Sequence, residues 1–371
     1  MDFAGTETLL MNLYRNIDRE IIQFDFAVCS DHAGDYDEEI LNMGGRIFHY
    51  PRYRGKNHLS YRNWWEHFFD VHDEYKIVHG HIGSTAAIYL NIAKKRGSFT
   101  IAHSHSVSRD KGVKAFTYNV FSYPTRYIAD QFFGCSKQAL IDRYGKKVAS
   151  DSTRSAVLNN AIDAEKYIFN TEKRAEIRKQ YGAAERDIVI ATVGRLTAAK
   201  NPEEIVRICE RLRDNGNEFV FWWFGKGELE KDIRQEVEAK SLDEYIHFMG
   251  VRDDIYNVLQ GADLFLFPSI WEGLGIACIE AQASGLPTLC SDVIPEEAKV
   301  SDNCRFLKLN DTQLWCDEIN KTIRAITEDT YVRPNNYDIV RDKGYDIKAV
   351  AAWLQSFYEN KYLELNGTQE K

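Results

Sequence analysis

The sequence predicts an α/β protein with two Rossmann-like, doubly wound domains, each a parallel sheet that helices cover on both faces. Its 371 residues exceed what one ordinary hydrophobic core accommodates, so two domains are expected. In both halves, short apolar runs alternate with segments of helical periodicity, as strands alternate with crossover helices. We place the first domain at 1–166, the second at 167–344, and a final helix with a polar tail at 345–371.

The first domain opens with a helical segment and continues with six strand-like runs. Gly5 precedes the helix, whose apolar face includes Leu9, Leu13 and Ile17. The strand-like runs are 24–29, 46–50, 77–81, 100–103, 127–135 and 156–159. No strand-like run precedes Gly5, and a sheet that lacked a central strand would keep two unpaired edges. We therefore expect the natural chain to begin upstream of Met1.

The second domain repeats this alternation from residue 188 onward. Its strand-like runs are 188–196, 218–224, 246–251, 263–269 and 288–290. Ahead of one helix, Asn201, Pro202 and Glu204 match an N-cap, a first-turn proline and a capping-box acid. This pattern would hold Lys200 just before a helix start. A last helical stretch carries Ile347, Leu354 and other apolar residues on one face.

The segment 268–287 joins a buried strand to a short apolar helix through the turn Glu272-Gly273-Leu274-Gly275. A helix start at the carboxyl edge of a parallel sheet offers free N–H groups and a positive dipole end, which suit a diphosphate. Glu272 and Glu280 flank the turn too far apart to share a proton or a water, so a glycosidase-like acid/base pair is not expected. They fit two carboxylates that accept hydrogen bonds from hydroxyls on either side of the diphosphate. The alternative is that Glu280 only pairs within its own domain.

Two cations stand at the end of the strand 188–196 and just after it, near the same predicted edge. Arg195 ends the strand and Lys200 stands five residues further on. Together they could neutralise a diphosphate, Arg195 through its planar fork and Lys200 as a point charge. An ordinary surface ion pair is the alternative.

Histidines cluster where two strands of the first domain end. His103 ends the strand 100–103 and His105 stands two residues further on, while His79 and His81 end the preceding strand. Doubly wound folds bind their ligands at this edge. A histidine there can hydrogen-bond a sugar hydroxyl or a departing phosphate.

The stretch 268–287 resembles the donor-site signature of the GT-B glycosyltransferases of family 4, whose two glutamates are separated by seven residues. The part that reads Ile-Glu-Ala-Gln-Ala-Ser-Gly-Leu-Pro is similar to the capsule and exopolysaccharide branch of that family. The resemblance extends over nearly the whole chain and implies two domains that face each other across a cleft. It implies that Glu272 contacts the donor sugar, Glu280 the ribose, and the amides of Gly273, Leu274 and Gly275 the phosphates.

The same resemblance implies roles for residues in other segments. Arg195 and Lys200 correspond to the family's phosphate-binding pair, and His103 reaches the donor sugar from the opposite domain, with His105 as the second choice. The remaining implied donor-site residues are Gly5 near the phosphate or acceptor, Gly225 in a glycine turn at the nucleotide edge, and Val251 beside the base.

Composition narrows the class of partner. The net charge is −9, and residues 1–166 hold 21 Lys and Arg against 20 Asp and Glu, so the acidity lies in the rest of the chain. The overall acidity disfavours nucleic-acid binding. The seven cysteines are odd in number and scattered, which indicates reduced thiols of a cytoplasmic protein. The aromatic and basic segment 109–126 could touch a lipid-linked acceptor at the inner face of a membrane. The alternative is a helix that packs these aromatics into the core.

The resemblance implies a retaining glycosyltransferase that moves a sugar from a nucleotide-sugar, expected to be a UDP-sugar, to a glycan or lipid-linked glycan hydroxyl in surface polysaccharide synthesis. Neither a cofactor nor a metal is expected, since the two cations and the helix start would stabilise the leaving diphosphate. One alternative is a nucleotide-sugar epimerase with the same fold. The other is a non-catalytic two-lobed protein that binds a sugar or a nucleotide-sugar.

Overall fold

The computed structural model describes residues 1, 5–30, 32–105 and 120–367, which divide into two compact units. The first unit combines Met1–Ile162 with Ile347–Lys371, and the second is Asp163–Asp346. Much of the predicted aromatic and basic segment, including Lys111 and Lys114, and the end of the predicted polar tail lie outside the described residues.

The first unit has two parallel sheets among its described residues. One pairs β1 (Phe26–Val28) with β2 (Ile47–His49), and the other has the strand order β3-β4-β5-β6. Strands β3 to β6 are Ile77–Gly80, Phe99–Ser104, Gln131–Gly134 and Ser155–Val157. Its described α-helices include the N-terminal helix Gly5–Asn16, then Asp37–Asn42, His58–Val71, Ala86–Lys95, Thr125–Ile128, Lys137–Tyr144 and Lys146–Ala149, and the C-terminal helix Ile347–Gly367.

The prediction of a strand over 127–135 is wrong at its start. Thr125–Ile128 is helical, and the strand begins only at Gln131. Pro124 stands at the helix N-cap with a φ of −64° and a ψ of −20°, which are helical values. Its ring fixes φ in this range, so the residues after it enter a helical turn despite their apolar character.

Helices cover the four-stranded sheet on both faces. Successive residues of a strand point to opposite sides of the sheet, so neighbouring strand residues pack against different helices. On one face, Ala102 and Phe132 pack with the helices that follow β2 and β3. On the other face, Ile101 and Phe133 pack with residues of the N-terminal and C-terminal helices. The first and last helices of the chain therefore share one core.

The second unit contains a six-stranded parallel sheet of order β12-β11-β10-β7-β8-β9. Strands β7 to β12 are Val189–Val193, Val220–Phe224, Ile246–Gly250, Leu264–Phe267, Thr288–Ser291 and Cys304–Leu307. The described α-helices of this unit are Thr171–Tyr181, Pro202–Asp214, Glu230–Ala239, Ile255–Gly261, Ile276–Ala283, Thr312–Thr327 and Tyr337–Asp342. Two α/β units with parallel sheets confirm the predicted fold class.

Both faces of this second sheet are buried as well. In β8, Phe221 and Trp223 join the core formed with the helix Pro202–Asp214. Trp222 is buried on the opposite face, where its ring lies 5.4 Å from that of Tyr181. Such doubly covered strands read as continuous apolar runs, which is why the sequence identified them.

The predicted capping box at Asn201 is wrong. Asn201 has a φ of +54° and makes no side-chain cap to the helix that follows it. Its amide donates instead to the carbonyl of Pro268 at 3.1 Å. Glu204 accepts hydrogen bonds from Thr312 and Arg207. The segments after β7 and β10 are thereby tied together, and this contact outweighs the local cap.

Candidate active site

The predicted donor-site residues of the second unit follow four neighbouring strands of one parallel sheet. Arg195 follows β7, Gly225 follows β8, Val251 follows β9, and Glu272 follows β10. These strands are adjacent in the order β10-β7-β8-β9. Because parallel strands end at a common edge, the topology gathers residues from four separate segments at one carboxyl edge, where such folds bind ligands.

Lys200 and Glu272 form a direct ion pair at this edge. The ammonium nitrogen lies 2.5 Å from a carboxylate oxygen, and the side chains are only 26% and 11% exposed. The Lys200 ammonium also lies 4.7 Å from the centre of the Phe267 ring. A backbone bond from Ile270 N–H to the Ala199 carbonyl, 2.8 Å long, joins the two segments. An ammonium has three hydrogens, so Lys200 can bond a further anionic oxygen while it keeps Glu272.

Arg195 is exposed, and the glycines around it permit a close approach of loops. Gly225 has a φ of +132°, and a Cβ atom there would lie 2.0 Å from the carbonyl oxygen of Gly194. A Cβ atom on Gly227 would lie 2.2 Å from the carbonyl oxygen of Leu196. Both positions therefore require glycine for the loops after β7 and β8 to touch.

The turn 273–275 leads directly into the helix Ile276–Ala283. Gly275 precedes the helix with a φ of +90°, and a Cβ atom there would lie 3.2 Å from the Phe267 ring. Leu274 is buried, so it can serve a ligand only through its backbone. The first N–H groups of a helix have no partner within it, and they carry its positive dipole end. The predicted anion-binding turn thus has the required local structure.

Val251 is the first residue after β9, at the carboxyl edge of the sheet. Its side chain is exposed, and Gly250 before it has a φ of +72°. The Gly250 carbonyl accepts a 2.8 Å hydrogen bond from Gly225 N–H. This contact continues the row of linked loops from β7 through β8 to β9.

Glu280 has a partner that the sequence did not reveal. The hydroxyl of Tyr167 donates to one Glu280 oxygen at 2.6 Å. Burial raises the pKa of the Glu280 carboxyl, and the hydrogen bond from Tyr167 lowers it in part. Burial, and next the neighbouring carboxyl, raise the pKa of Tyr167. The pair lies 113 positions apart in a 3₁₀ turn and a helix, and no local pattern predicts it.

Four histidines of the first unit form a two-by-two array on β3, β4 and the residues just after them. His79 Nε2 lies 3.2 Å from His103 Nδ1, and His81 Nδ1 lies 2.8 Å from His105 Nε2. The rings of these two pairs are inclined by only 17° and 29°, so each pair is bonded edge to edge. The pairs then stack, with centroids 4.3 Å apart from His79 to His81 and 4.1 Å from His103 to His105.

Burial keeps these imidazoles neutral. It lowers the pKa of His79 to about 3 and that of His105 to about 4. Burial, with the neighbouring rings as a smaller cause, also lowers the pKa values of His81 and His103 well below the ordinary value. The hydroxyl of Tyr358 lies 2.5 Å from His79 Nδ1. Tyr358, on the C-terminal helix, had no signal in the sequence beyond its place on an apolar face.

Gly5 is the first residue of the N-terminal helix, and a Cβ atom there would meet nothing within 4 Å. Gly5, His103 and His105 belong to the first unit, whereas the other predicted site residues belong to the second. The predicted site therefore divides into two groups, each built on its own sheet.

Two groups of described side chains are close enough to consider as metal ligands. They are His79, His81 and His103, and Cys278, Cys290 and Cys304, each group having ligand atoms within 4.8 Å of one another. An imidazole binds a metal in its ring plane, whereas His79 and His81 are stacked. The three cysteines are buried in the second unit. The expectation that the reaction needs no metal stays a prediction.

Exposed apolar side chains lie at 120–127 in the first unit. Phe121 is 50% exposed and Tyr127 71%, and Val120 and Tyr123 are similar. The guanidinium of Arg126 lies 3.9 Å from the centre of the Tyr123 ring. Among the described helices, none combines the length and the apolar character needed to cross a bilayer. The described part of the aromatic segment is thus more exposed than a core helix would be.

The chain is similar to proteins of a known family. Residues 173–327, which include every predicted donor-site residue of the second unit, match the model of the glycosyl transferases group 1. The putative glycosyltransferase EpsF of Bacillus subtilis is 30% identical over 331 residues, covering 88% of this chain and 86% of EpsF. A UDP-Gal:alpha-D-GlcNAc-diphosphoundecaprenol alpha-1,3-galactosyltransferase of Escherichia coli is 27% identical over 271 residues, 69% of this chain and 67% of that enzyme.

Solved structures show the same fold. HepE of Anabaena in complex with UDP superposes with a TM-score of 0.79 over 96% of both chains, at 15% identity. Its complex with UDP-glucose gives a TM-score of 0.77 over 96% of both chains, at 14% identity. A sucrose-phosphate synthase from Thermosynechococcus elongatus gives 0.76 over 97% of this chain and 94% of that one, at 15% identity. The two parallel-sheet units and these structural matches confirm the expected GT-B fold.

Proposed function

Because this chain belongs to the group 1 glycosyl transferases, we propose that it transfers a sugar from a UDP-sugar to a hydroxyl of a glycan or lipid-linked glycan. The observation that carries the proposal is the ion pair of Lys200 with Glu272 at the carboxyl edge of the second sheet. There a cation for a diphosphate and a carboxylate for sugar hydroxyls stand side by side, next to the helix start at Ile276. A protein that binds free sugar would have no need of the cations at this edge.

The proposed chemistry breaks the bond between the anomeric carbon and a phosphate oxygen of the donor. The acceptor oxygen bonds to the same carbon on the same face, and the acceptor proton passes to the departing phosphate oxygen. Negative charge develops on the diphosphate, and Arg195, Lys200 and the helix N-terminus would stabilise it. These groups would supply that stabilisation without a metal, and the anomeric configuration would be retained.

The choice of donor and acceptor rests on the relatives. HepE crystallises with UDP and with UDP-glucose, and the name of the Escherichia coli relative specifies UDP-Gal and a diphosphoundecaprenol acceptor. We therefore propose a uridine nucleotide as donor and a lipid-linked glycan of surface polysaccharide synthesis as acceptor. The exposed apolar group at 120–127 supports peripheral contact with the cytoplasmic face of a membrane, where such an acceptor would lie.

Two measurements test the proposal in sequence. Binding of UDP to the purified protein is compared by calorimetry with binding of GDP and of free glucose. UDP binding that exceeds both supports the donor site, whereas binding of glucose alone would favour a sugar-binding protein and overturn the proposal. UDP-sugars are then incubated with lipid-linked GlcNAc diphosphate, and the products are separated. A lengthened glycan is expected, and a donor whose sugar has changed configuration without transfer would instead identify an epimerase.

A further inference from the structure

A continuous hydrogen-bonded chain runs from the C-terminal helix to the end of β4. The Tyr358 hydroxyl lies 2.5 Å from His79 Nδ1, and His79 Nε2 lies 3.2 Å from His103 Nδ1. The rings of His79 and His103 are inclined by 17°, which suits a bond in the plane of both. Tyr358 is 6% exposed and His103 2%, and His79 between them is half-buried.

Hydrogen-bond accounting fixes the direction of this chain. Burial raises the pKa of Tyr358, so its hydroxyl keeps one hydrogen at neutral pH. Among the described residues, His79 Nδ1 is the hydrogen-bond partner of that hydroxyl. If the Tyr358 oxygen only accepted from His79, its own hydrogen would be buried without an acceptor, at a cost of about 1–3 kcal/mol. The hydroxyl therefore donates to His79 Nδ1.

The direction then propagates through both rings. A neutral imidazole has one N–H and one bare nitrogen. His79 accepts at Nδ1, so its hydrogen is on Nε2, and it donates to Nδ1 of His103. His103 accepts at Nδ1, so its own hydrogen is on Nε2. Within the described part of the chain, this His103 Nε2 is buried and has no hydrogen-bond partner.

We propose that Tyr358 and His79 are positioning residues that hold His103 as the Nε2–H tautomer, so that it donates a hydrogen bond to an oxygen of the sugar substrate. The Nε2–H of His103 then donates to an oxygen that accepts hydrogen bonds, such as a hydroxyl or phosphate oxygen of the substrate. His103 does not serve as a base through Nε2. The part of this inference that concerns the substrate rests on the proposed function. The tautomer itself does not, because it is a property of the free protein.

Long-range ¹H–¹⁵N spectra of histidine-labelled protein distinguish protonated from bare ring nitrogens, and single His→Gln variants assign the signals. At pH 7.5 without ligand, His79 and His103 are both expected to carry hydrogen on Nε2. A His103 that is protonated on Nδ1 and bare on Nε2 would overturn the proposal. The tautomer is read from the wild-type spectrum, whose ring signals can also be assigned through bonds in doubly labelled protein, so the test does not depend on whether a variant folds.

Variants then test whether the chain sets the tautomer. Tyr358→Phe removes the first donor, and the Nε2–H population of His103 is expected to fall. Tyr362→Phe, an exposed tyrosine on the same helix, should leave it unchanged. His79→Gln can still accept at its oxygen and donate at its nitrogen, so it should preserve the His103 tautomer, whereas His79→Leu should not. A His103 tautomer indifferent to Tyr358→Phe and His79→Leu would refute the positioning role. If His103 has the expected tautomer but the protein does not bind UDP, the positioning role of Tyr358 and His79 stands and the proposed function is refuted.

Discussion

The Lys200 ammonium lies 2.5 Å from the Glu272 carboxylate, across 72 positions of sequence. The first residue precedes a helix after β7, and the second begins the turn after β10. Neighbouring parallel strands place them together, and the amide of Asn201 strengthens the join by bonding to Pro268. The proposed donor site is therefore anchored from two sides before any ligand arrives.

Lys200→Met is expected to weaken UDP binding by about 10- to 100-fold, on the order of 1–3 kcal/mol for a lost charge-assisted contact. The matched control is Lys240→Met, because Lys240 also forms a part-buried pair, at 2.6 Å from Glu210. Calorimetric titration with UDP measures both affinities. If the two variants weakened binding equally, the effect would be general and Lys200 would have no special role.

Arg195→Ala should lower UDP affinity to a similar degree while it leaves the stability of the fold nearly unchanged, because the side chain is exposed. Arg186 provides the control, since it is exposed and lies ahead of β7, whereas Arg195 follows the carboxyl end of the same strand. Affinity for UDP and thermal midpoints are measured for both. If Arg186→Ala also lost UDP binding, the anion site would not be located at the carboxyl edge.

The pH dependence of stability should reveal the buried Glu280. Its pKa in the folded state is raised above the ordinary 4.5, so the folded protein holds this proton more tightly than the unfolded chain. The stabilising contribution is complete below pH 4.5 and is lost as the pH rises through the folded pKa. Glu280→Gln stays neutral and still accepts from Tyr167. The free energy of unfolding of Glu280→Gln relative to wild type should therefore increase from pH 4.5 to 7.5.

Urea unfolding curves of both proteins at the two pH values measure this difference, which cancels the contribution of other titrating groups. A relative stability of the variant that decreased with pH would mean that Glu280 is stabilised as a carboxylate in the fold. That result would mean that Glu280 is already ionised in the free protein, in the form that would accept hydrogen bonds from a ribose.

Gly225→Ala should destabilise the second unit more than Gly216→Ala. Both glycines have positive φ, but a Cβ atom at Gly225 would lie 2.0 Å from the Gly194 carbonyl, and one at Gly216 would meet nothing within 4 Å. The excess is expected to be on the order of 1–3 kcal/mol, the cost of forcing atoms into a packed site. Chemical denaturation measures it, and equal losses would show that the loops after β7 and β8 separate easily.

Peripheral membrane contact predicts a further result. Phe121→Ser combined with Tyr127→Ser removes two exposed apolar side chains and should reduce co-sedimentation with vesicles of anionic phospholipid. Val332→Ser is the control, because Val332 is 82% exposed but lies in the second unit. Vesicle binding that survived the double change would place any membrane contact elsewhere on the protein.

The sequence was sufficient for the parts of this protein whose signals are local. Alternating apolar runs and helical periods predicted eleven of the twelve described strands, because doubly covered strands are apolar throughout. They missed Cys304–Leu307, where the exposed Arg305 and the half-buried Phe306 interrupt the apolar run. The Lys200 and Glu272 segments each have a strand, a turn and a helix start in a row. Because neighbouring parallel strands end at a common edge of the sheet, the two segments were expected at the same edge.

Contacts between distant segments could not be predicted in this way. Tyr167 reaches Glu280 across 113 positions, and Tyr358 reaches His79 across 279. Neither tyrosine differs in its local pattern from the other aromatic residues around it. Asn201 failed for a related reason, since its local sequence favours a cap but its amide finds the Pro268 carbonyl. Tertiary partners decided these three cases.

The shared core of the first and last helices has a consequence for synthesis on the ribosome. Ile101 and Phe133 pack against residues of both the N-terminal helix and the C-terminal helix. The 205 residues that follow Ile162, up to Gly367, include the whole second unit and must be translated before that core can close. At roughly 5–20 residues per second this takes about 10–40 s. During that interval the nascent first unit presents an uncovered apolar sheet face, so we expect it to depend on chaperones while the second unit folds unaided.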